Sequence, residues 1–152
     1  RAFGMHVLIS GRAGLDVSAD KTRTNFEDVL RESDVISLHC PLTADTTNLI
    51  GAEELNMMKT GAILINTARG RLVDSVALIS ALENGIISAA GIDVLAEEPP
   101  VNNDPILDYA GDNLIVTPHI AWATVEARQN AINEVALNAQ AFLAGNRRNR
   151  VI

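Results

Sequence analysis

Residues 62–94 read AILINTARGRLVDSVALISALENGIISAAGIDV. The opening run, Ala62-Ile63-Leu64-Ile65-Asn66, is short, apolar and rich in isoleucine, which predicts a strand. Asp74 stands where a helix N-cap stands, and Ala77, Leu78, Ala81 and Leu82 fall on one face of the helix that follows. Gly85 is placed to end that helix, and the run Ile87 to Val94 predicts a second strand. Strand, helix and strand joined by short loops make a crossover unit, and its two strands lie parallel.

The same alternation extends in both directions. Upstream, Met5–Ser10 reads as a strand, Thr24 or Asn25 caps a short helix through Glu32, and Asp34–His39 reads as the next strand. A turn follows from Pro41 to Thr47, then a helix from Ala52 to Lys59 closed by Gly61. Downstream come a proline-rich loop, a strand over Asn113–Thr117 and a last helix from about Thr124 to Gly145. The apolar stripe of that helix is Ile132, Val135, Ala136, Ala139, Phe142 and Leu143. Repeated alternation of this kind predicts an α/β chain whose parallel sheet carries helices on both faces. The near-continuous apolar character of the strands agrees with covered faces.

Composition narrows the function classes. The chain has 152 residues, 47% of them hydrophobic and 20% charged, which excludes disorder for its bulk. Nineteen acidic against twelve basic residues give a net charge of −7 and argue against a nucleic-acid partner. Arg147, Arg148 and Arg150 read as a solvated terminus. One cysteine, Cys40, excludes a disulfide framework, and the scattered histidines give no metal set. No apolar run is long enough to span a membrane, and the chain reads as cytosolic. It opens Arg1-Ala2-Phe3-Gly4-Met5, with Gly4 where the glycine after a helix stands, so the expectation is a piece of a longer protein.

In parallel sheets of this kind, ligands bind at the carboxyl ends of the strands. The residues there are Ser10-Gly11-Arg12, His39-Cys40-Pro41, Asn66-Thr67-Ala68-Arg69-Gly70, Asp93 and Thr117-Pro118-His119, with Glu97-Glu98-Pro99 in a following loop. One edge therefore collects an arginine, an acid pair and a histidine.

Four segments carry a resemblance: Leu38-His39-Cys40-Pro41-Leu42-Thr43, Ile65 to Gly70, Gly91-Ile92-Asp93-Val94 with Glu98-Pro99, and Thr117-Pro118-His119-Ile120. Together, in this order and at these strand ends, they resemble the nucleotide-binding domain of the D-isomer-specific 2-hydroxyacid dehydrogenases, over essentially the whole chain. Thr117 to Thr124 (TPHIAWAT) and Glu126-Ala127-Arg128-Gln129 are most similar to the glycerate dehydrogenases, or hydroxypyruvate reductases.

The resemblance implies a Rossmann-like doubly wound parallel sheet. It implies hydride transfer between NAD(P)H and a small 2-keto or 2-hydroxy acid, hydroxypyruvate or glyoxylate giving D-glycerate or glycolate, in a homodimeric parent. It implies Arg69, Glu98 and His119 as the catalytic set. His119 would be the general acid, since imidazole titrates near neutral pH. Glu98 would favour its protonated form and fix the ring. Arg69 would grip the substrate carboxylate and polarise the carbonyl through its planar fork. Pro41 and Thr46 would lie near the ribose and pyrophosphate, Thr67 and Ala68 near the nicotinamide ribose, and Asp93 would bind the carboxamide.

Blander roles stand beside these. His119 reads also as a cap or core histidine, Arg69 as a solvated turn residue, Asp93 as the cap of the next turn, and Arg12 as a surface charge. Glu97 competes with Glu98, and the family spacing selects Glu98. His6 and His39 read as structural, and Cys40 as buried beside the cofactor. Trp122 divides evenly between a substrate or partner contact and packing at the helix start.

The sequence departs from the family pattern in two places. The Gly-x-Gly-x-x-Gly loop, the strand before it and the substrate domain are not in the chain, so residues 1–152 read as a partial dinucleotide-binding domain lacking its first central strand. That expectation leaves either a gap of roughly 9–10 Å between Met5–Ser10 and Asp34–His39 or direct pairing of the two. Second, Gly11 and Arg12 stand where members using NAD place an acid for the ribose 2′-hydroxyl. A guanidinium without that carboxylate favours NADP(H), with NAD(H) as the alternative. Two other readings remain: a dinucleotide-sensing binding protein like the corepressors of this family, and an inactive fragment. Within the enzyme reading, pyruvate, phosphoglycerate and phosphite are competing substrates.

Overall fold

The computed structural model describes residues 3–100 and 103–150, which fall into two compact units, 1–118 and 119–152. The first unit contains α1 (Phe26–Glu32), β1 (Val35–Leu38), α2 (Ala52–Met57), β2 (Ile63–Asn66), α3 (Ser75–Glu83), β3 (Ala89–Ile92), α4 (Pro105–Asp108) and β4 (Leu114–Val116). The sheet has the order β1-β2-β3-β4, and every pair is parallel. Val35 stands opposite Ile63, Ile63 opposite Ala89, and Ala90 opposite Leu114. This is the α/β parallel sheet that the alternation predicts, and it is Rossmann-like as the resemblance implies.

Sequential order with right-handed crossovers puts the connecting helices on one face. Accordingly α1 packs on α2, α2 on α3 and α3 on α4. The core lies between that helical layer and the strand residues Ile36, Leu38, Leu64, Ala90 and Ile92, with Leu30, Leu55, Leu72, Leu78 and Ile87 fully buried in it. Residues of the opposite sheet face are less covered: Val35 and Ile115 are exposed, and Ile63 and Ile65 are half-buried. Within this unit the strands therefore alternate, where covered faces on both sides were expected.

Local signals act as the sequence predicts. The Asp74 carboxylate accepts from the N–H groups of Val76 and Ala77 at the start of α3, and Gly85 leaves that helix at φ +66°. Glu54 reaches back to the Gly51 N–H at 3.0 Å to start α2. Asn25 stands at the N-cap of α1, but its side chain makes no cap bond there and instead accepts from the Val17 N–H at 3.4 Å.

Three expectations change. Met5–Ser10 forms no strand: only Ser10 pairs, in an isolated bridge to Thr24, with the Thr24 N–H on the Ile9 carbonyl and the Gly11 N–H on the Thr24 carbonyl, both at 2.8 Å. A ladder needs a strand alongside, and the described residues offer this stretch a partner at Ser10 alone; Met5, Val7 and Ile9 are exposed. No ladder joins 7–9 to 35–37, so β1 is the outer strand of the described sheet. The third strand, Ala89–Ile92, is shorter than predicted at both ends, and the Ser88 hydroxyl just before it donates to the Gly61 carbonyl at 2.7 Å. The proline-rich loop holds α4, started by Asp104, whose carboxylate accepts from the Ile106 N–H, and by Pro105 in the first turn. Gly4 has φ +77°, as a glycine after a helix does, but the helical stub expected at residues 1–2 lies outside the described residues.

The second unit is α5 (Val125–Leu143) and its flanks. The Thr124 hydroxyl accepts from the Ala127 N–H, and Gly145 ends the helix at φ +71°. The predicted stripe is exposed: Ile132, Val135, Phe142 and Leu143 are all solvent-accessible, and among the described residues of this unit α5 is the one helix or strand. Arg148 is not simply solvated. Its guanidinium donates to both carboxylate oxygens of Glu134, at 2.6 and 3.0 Å, and to Asn138, folding the tail back onto α5. These bonds hold the Glu134 carboxyl below its ordinary range.

Candidate active site

Because all four strands run parallel, the residues after β1, β2, β3 and β4 line one edge of the sheet. The best-organised stretch follows β2. Asn66, its last residue, is 1% exposed. Its Oδ1 accepts from the Ala68 N–H at 3.0 Å and its Nδ2 donates to the Arg69 carbonyl at 2.9 Å. Thr67 and Arg69 are exposed and Ala68 is half-buried between them. The Arg69 guanidinium lies back on its own loop, Nη1 donating to the Ala68 carbonyl at 2.6 Å. Beyond it, the Asn48 N–H donates to the Arg71 carbonyl at 2.8 Å and the Ile50 N–H to the Leu72 carbonyl at 3.0 Å. The loop is therefore stitched down on both sides of the arginine.

Gly70 brings this loop onto the one after β3. A Cβ there would stand 1.9 Å from the Leu95 carbonyl oxygen and 2.5 Å from the Ala96 nitrogen. Only a residue without a side chain permits that approach. The Leu95 N–H in turn donates to Glu98 Oε1 at 2.7 Å. The Arg69 and Glu98 loops thus meet backbone to backbone at Gly70 and Leu95.

Asp93 lies just past β3 and is 4% exposed. Its N–H donates to the Asn66 carbonyl at 2.9 Å, and its Oδ1 accepts from the Thr117 hydroxyl at 2.5 Å. After β1, the Thr46 hydroxyl donates to the Pro41 carbonyl at 2.8 Å and accepts from the Thr43 N–H at 2.7 Å. Pro41 and Thr46 are thereby brought together, with the hydroxyl closing the single 3-10 turn Ala44–Thr46. His39 Nε2 sits 2.8 Å from the Ser37 hydroxyl. Cys40 is half-buried against the core, and that burial pushes its thiol pKa up, away from nucleophilic use.

At Gly11 a Cβ would meet the Val17 side chain at 2.3 Å, so packing alone disfavours an acid there. Arg12 follows in an exposed turn, its carbonyl accepting from the Leu15 N–H at 3.2 Å.

In the second unit, His119 is exposed and has φ +54°, left-handed backbone that costs a side-chain-bearing residue about 1–2 kcal/mol. The Trp122 indole N–H donates to the His119 carbonyl at 2.8 Å. Trp122 is 60% exposed, so its observed role is this bond rather than packing.

Sequence reasoning missed three partners. Asn66 carries the signal of an Asx turn, an asparagine bonding the N–H two residues on, and stands immediately before the catalytic candidates. Thr117 bonds a residue 24 positions away, which no local pattern reveals. Trp122 acts through its N–H, although its size draws the eye to packing.

The polar groups along this edge fit a nicotinamide nucleotide. A buried carboxylate, Asp93, suits the donors of a carboxamide, and the exposed Thr67 and Arg69 supply donors along the same edge of the sheet. Among the described residues, no cluster of three His, Cys, Asp or Glu side chains is placed to hold a metal. No described helix is long and apolar enough to cross a membrane.

Comparison with known proteins agrees. Residues 1–121 match the family described as D-isomer specific 2-hydroxyacid dehydrogenase, NAD binding domain. A glycerate dehydrogenase of Methylorubrum extorquens is 50% identical over 150 residues, covering 99% of this chain and 46% of that protein. An acyclic imino acid reductase solved with NADPH and D-Arg superposes with a TM-score of 0.82 at 34% identity, over 99% of this chain and 47% of that one. A D-lactate dehydrogenase of Lactobacillus jensenii, solved with NAD+, gives a TM-score of 0.75 at 40% identity, over 86% of this chain and 43% of that one. The chain spans about half the length of the curated relatives it matches. With the sheet, its strand-end residues and these likenesses in agreement, the chain belongs to the D-isomer specific 2-hydroxyacid dehydrogenases, through their NAD-binding domain.

Proposed function

We propose that residues 1–152 form part of the dinucleotide-binding domain of an oxidoreductase that reduces a small 2-keto acid, hydroxypyruvate or glyoxylate, to D-glycerate or glycolate. The phosphate loop and the substrate domain would come from the rest of a cytosolic homodimeric parent. One observation carries the reading: a loop pinned at the sheet's carboxyl edge presents Arg69 and touches, through Gly70, the loop that holds Glu98. The 50% identity to a glycerate dehydrogenase supports the choice of substrate.

The nicotinamide, when bound, supplies a hydride for the carbonyl carbon. The chain's own residues do the rest. Arg69 binds the substrate carboxylate and draws electron density toward the carbonyl oxygen. His119 delivers the proton that the oxygen takes as the C=O bond becomes C–OH, and is left as neutral imidazole. Glu98 is the third member of the catalytic set, its carboxylate held on the loop after β3 by the Leu95 N–H. Asp93 holds the carboxamide; Thr67, Ala68, Pro41 and Thr46 line the ribose and pyrophosphate side.

Glu98→Gln tests one part of this. The amide keeps an oxygen for the Leu95 N–H, so the loop stays folded and only the charge is lost. The expected result is an unchanged melting temperature with turnover lowered at least about tenfold, less than the roughly 10²-fold or more that a general acid itself contributes. Wild-type turnover removes Glu98 from the mechanism.

Arg12 and the crowded Gly11 support NADP(H) over NAD(H). Assayed on the whole enzyme with hydroxypyruvate and glyoxylate, Arg12→Ala should raise KM for NADPH about tenfold or more, the worth of one charge-assisted contact to a phosphate, and leave KM for NADH nearly unchanged. Equal effects on both mean that Arg12 never meets the 2′-phosphate. No turnover of either acid by the wild-type enzyme sinks the assignment of substrate.

A further inference from the structure

We propose that Asn66 is the positioning residue for Arg69: its buried amide sets the backbone from which the guanidinium reaches substrate. The proposal rests on the catalytic reading of Arg69.

Asn66 is the last residue of β2, in a column of strand residues otherwise apolar, with Leu64 two positions before it fully buried. A leucine of similar size would serve burial better, since an amide taken out of water is tolerated only when its hydrogen bonds are made. Here both ends of the amide are used, and both are spent on the same short loop. Oδ1 takes the Ala68 N–H and Nδ2 gives to the Arg69 carbonyl. The two bonds hold the peptide groups on either side of the Ala68–Arg69 link, Thr67–Ala68 and Arg69–Gly70, and with them the direction in which the Arg69 Cα–Cβ bond leaves the chain. That matters because the Arg69 side chain is exposed and its guanidinium bonds the carbonyl of the preceding residue, so its placement depends on its backbone.

The backbone of Asn66 does a separate job. Its carbonyl accepts from the Asp93 N–H at 2.9 Å, tying the end of β2 to the residue assigned to the carboxamide. Substitutions of the side chain leave that main-chain bond in place. Ala68, on the ribose side, also loses a bond, but Asp93, Pro41 and Thr46 hold the nucleotide at points the Asn66 side chain does not touch, so a changed amide should disturb the handling of the 2-keto acid more than that of the nucleotide.

Two variants of the whole dehydrogenase distinguish a guide from a mere packing group. Asn66→Leu keeps the volume and loses both bonds. Asn66→Asp keeps the acceptor for the Ala68 N–H and turns a carboxylate oxygen toward the Arg69 carbonyl in place of the NH2 group. Displacing a catalytic group by about 1 Å costs on the order of 10²-fold. Each variant should accordingly lower kcat/KM for the 2-keto acid by about 10²-fold, while KM for the nucleotide moves less than about threefold. In an Arg69→Ala background, where there is no guanidinium left to aim, either change should add little further loss. Chemical denaturation, run alongside, reports stability separately, and Asn66→Asp keeps the test open if Asn66→Leu does not fold.

Three results overturn the proposal: wild-type kcat/KM in both variants, equal losses for acid and nucleotide, or losses that multiply with that of Arg69→Ala. If Arg69→Ala alone is as fast as wild type, the catalytic reading of Arg69 fails, and the proposal falls with it by a route the other three results do not share.

Discussion

On the proposed reading, replacing His119 by asparagine in the whole protein should lower the turnover number for 2-keto acid reduction by at least about 10²-fold, the low end of what a positioned general acid contributes. Asparagine is the informative replacement because His119 holds φ +54°. Alanine there would combine loss of the imidazole with a strained backbone, whereas asparagine enters left-handed conformations more readily than other side chains and brings no titrating proton. The Trp122 indole bond to the residue-119 carbonyl survives the change, since it involves the main chain alone. Stability should stay near that of wild type, and binding of the nucleotide should change little, while the chemical step slows. Stopped-flow measurement of a single turnover isolates that step from product release. A single-turnover rate equal to wild type would mean that the proton reaches the carbonyl oxygen from elsewhere, and His119 would lose its role.

The fold was legible where structure is made by neighbours in sequence. Asp74 as a cap, Gly85 as a stop and the apolar runs of β1, β2 and β4 act within a few residues, and each appears where predicted, whereas Gly61, expected to close α2, lies in a separate turn beyond the helix end at Met57. Met5–Ser10 has the same apolar run as the others, yet a strand exists only through its neighbour, and periodicity says nothing about whether one is present. The stripe on α5 fails in a related way, since a helical spacing identifies a face without saying what covers it. The site divides similarly. Strand-end position and resemblance placed Arg69, Asp93, Pro41, Thr46, Thr67 and Ala68 along one edge, because parallel strands force their carboxyl ends together. What stayed hidden were the bonds that hold those residues. The Asp93–Thr117 pair joins two strands, the Asn66 clamp depends on a buried rotamer, and the indole bond of Trp122 on a left-handed turn.

Among the glycines, Gly70 is where an added methyl group would come nearest to another atom. A Cβ at that position would overlap the Leu95 carbonyl at 1.9 Å and crowd the Ala96 nitrogen at 2.5 Å. Both are main-chain atoms, so no side chain can swing aside, and one of the two loops has to move. Gly91 provides the contrast: a Cβ there meets only the Ile65 Cδ1, at 3.0 Å, which is the far end of a flexible side chain. Gly70→Ala should therefore destabilise the protein by about 2–3 kcal/mol or more, the upper part of the range for overpacking, and Gly91→Ala by clearly less. The consequence for activity follows from what the two loops carry. Leu95 donates to the Glu98 carboxylate, and Gly70 adjoins Arg69, so pushing Leu95 off Gly70 moves the two catalytic candidates of the first unit apart together. A displacement on the order of 1 Å costs about 10²-fold in the chemical step. Urea denaturation and kcat/KM measured on Gly70→Ala and Gly91→Ala below their melting temperatures read the two effects separately. A Gly70→Ala enzyme with wild-type stability and turnover would mean that the loops after β2 and β3 do not meet in the working protein, and the shared edge on which the catalytic reading stands would have to be redrawn.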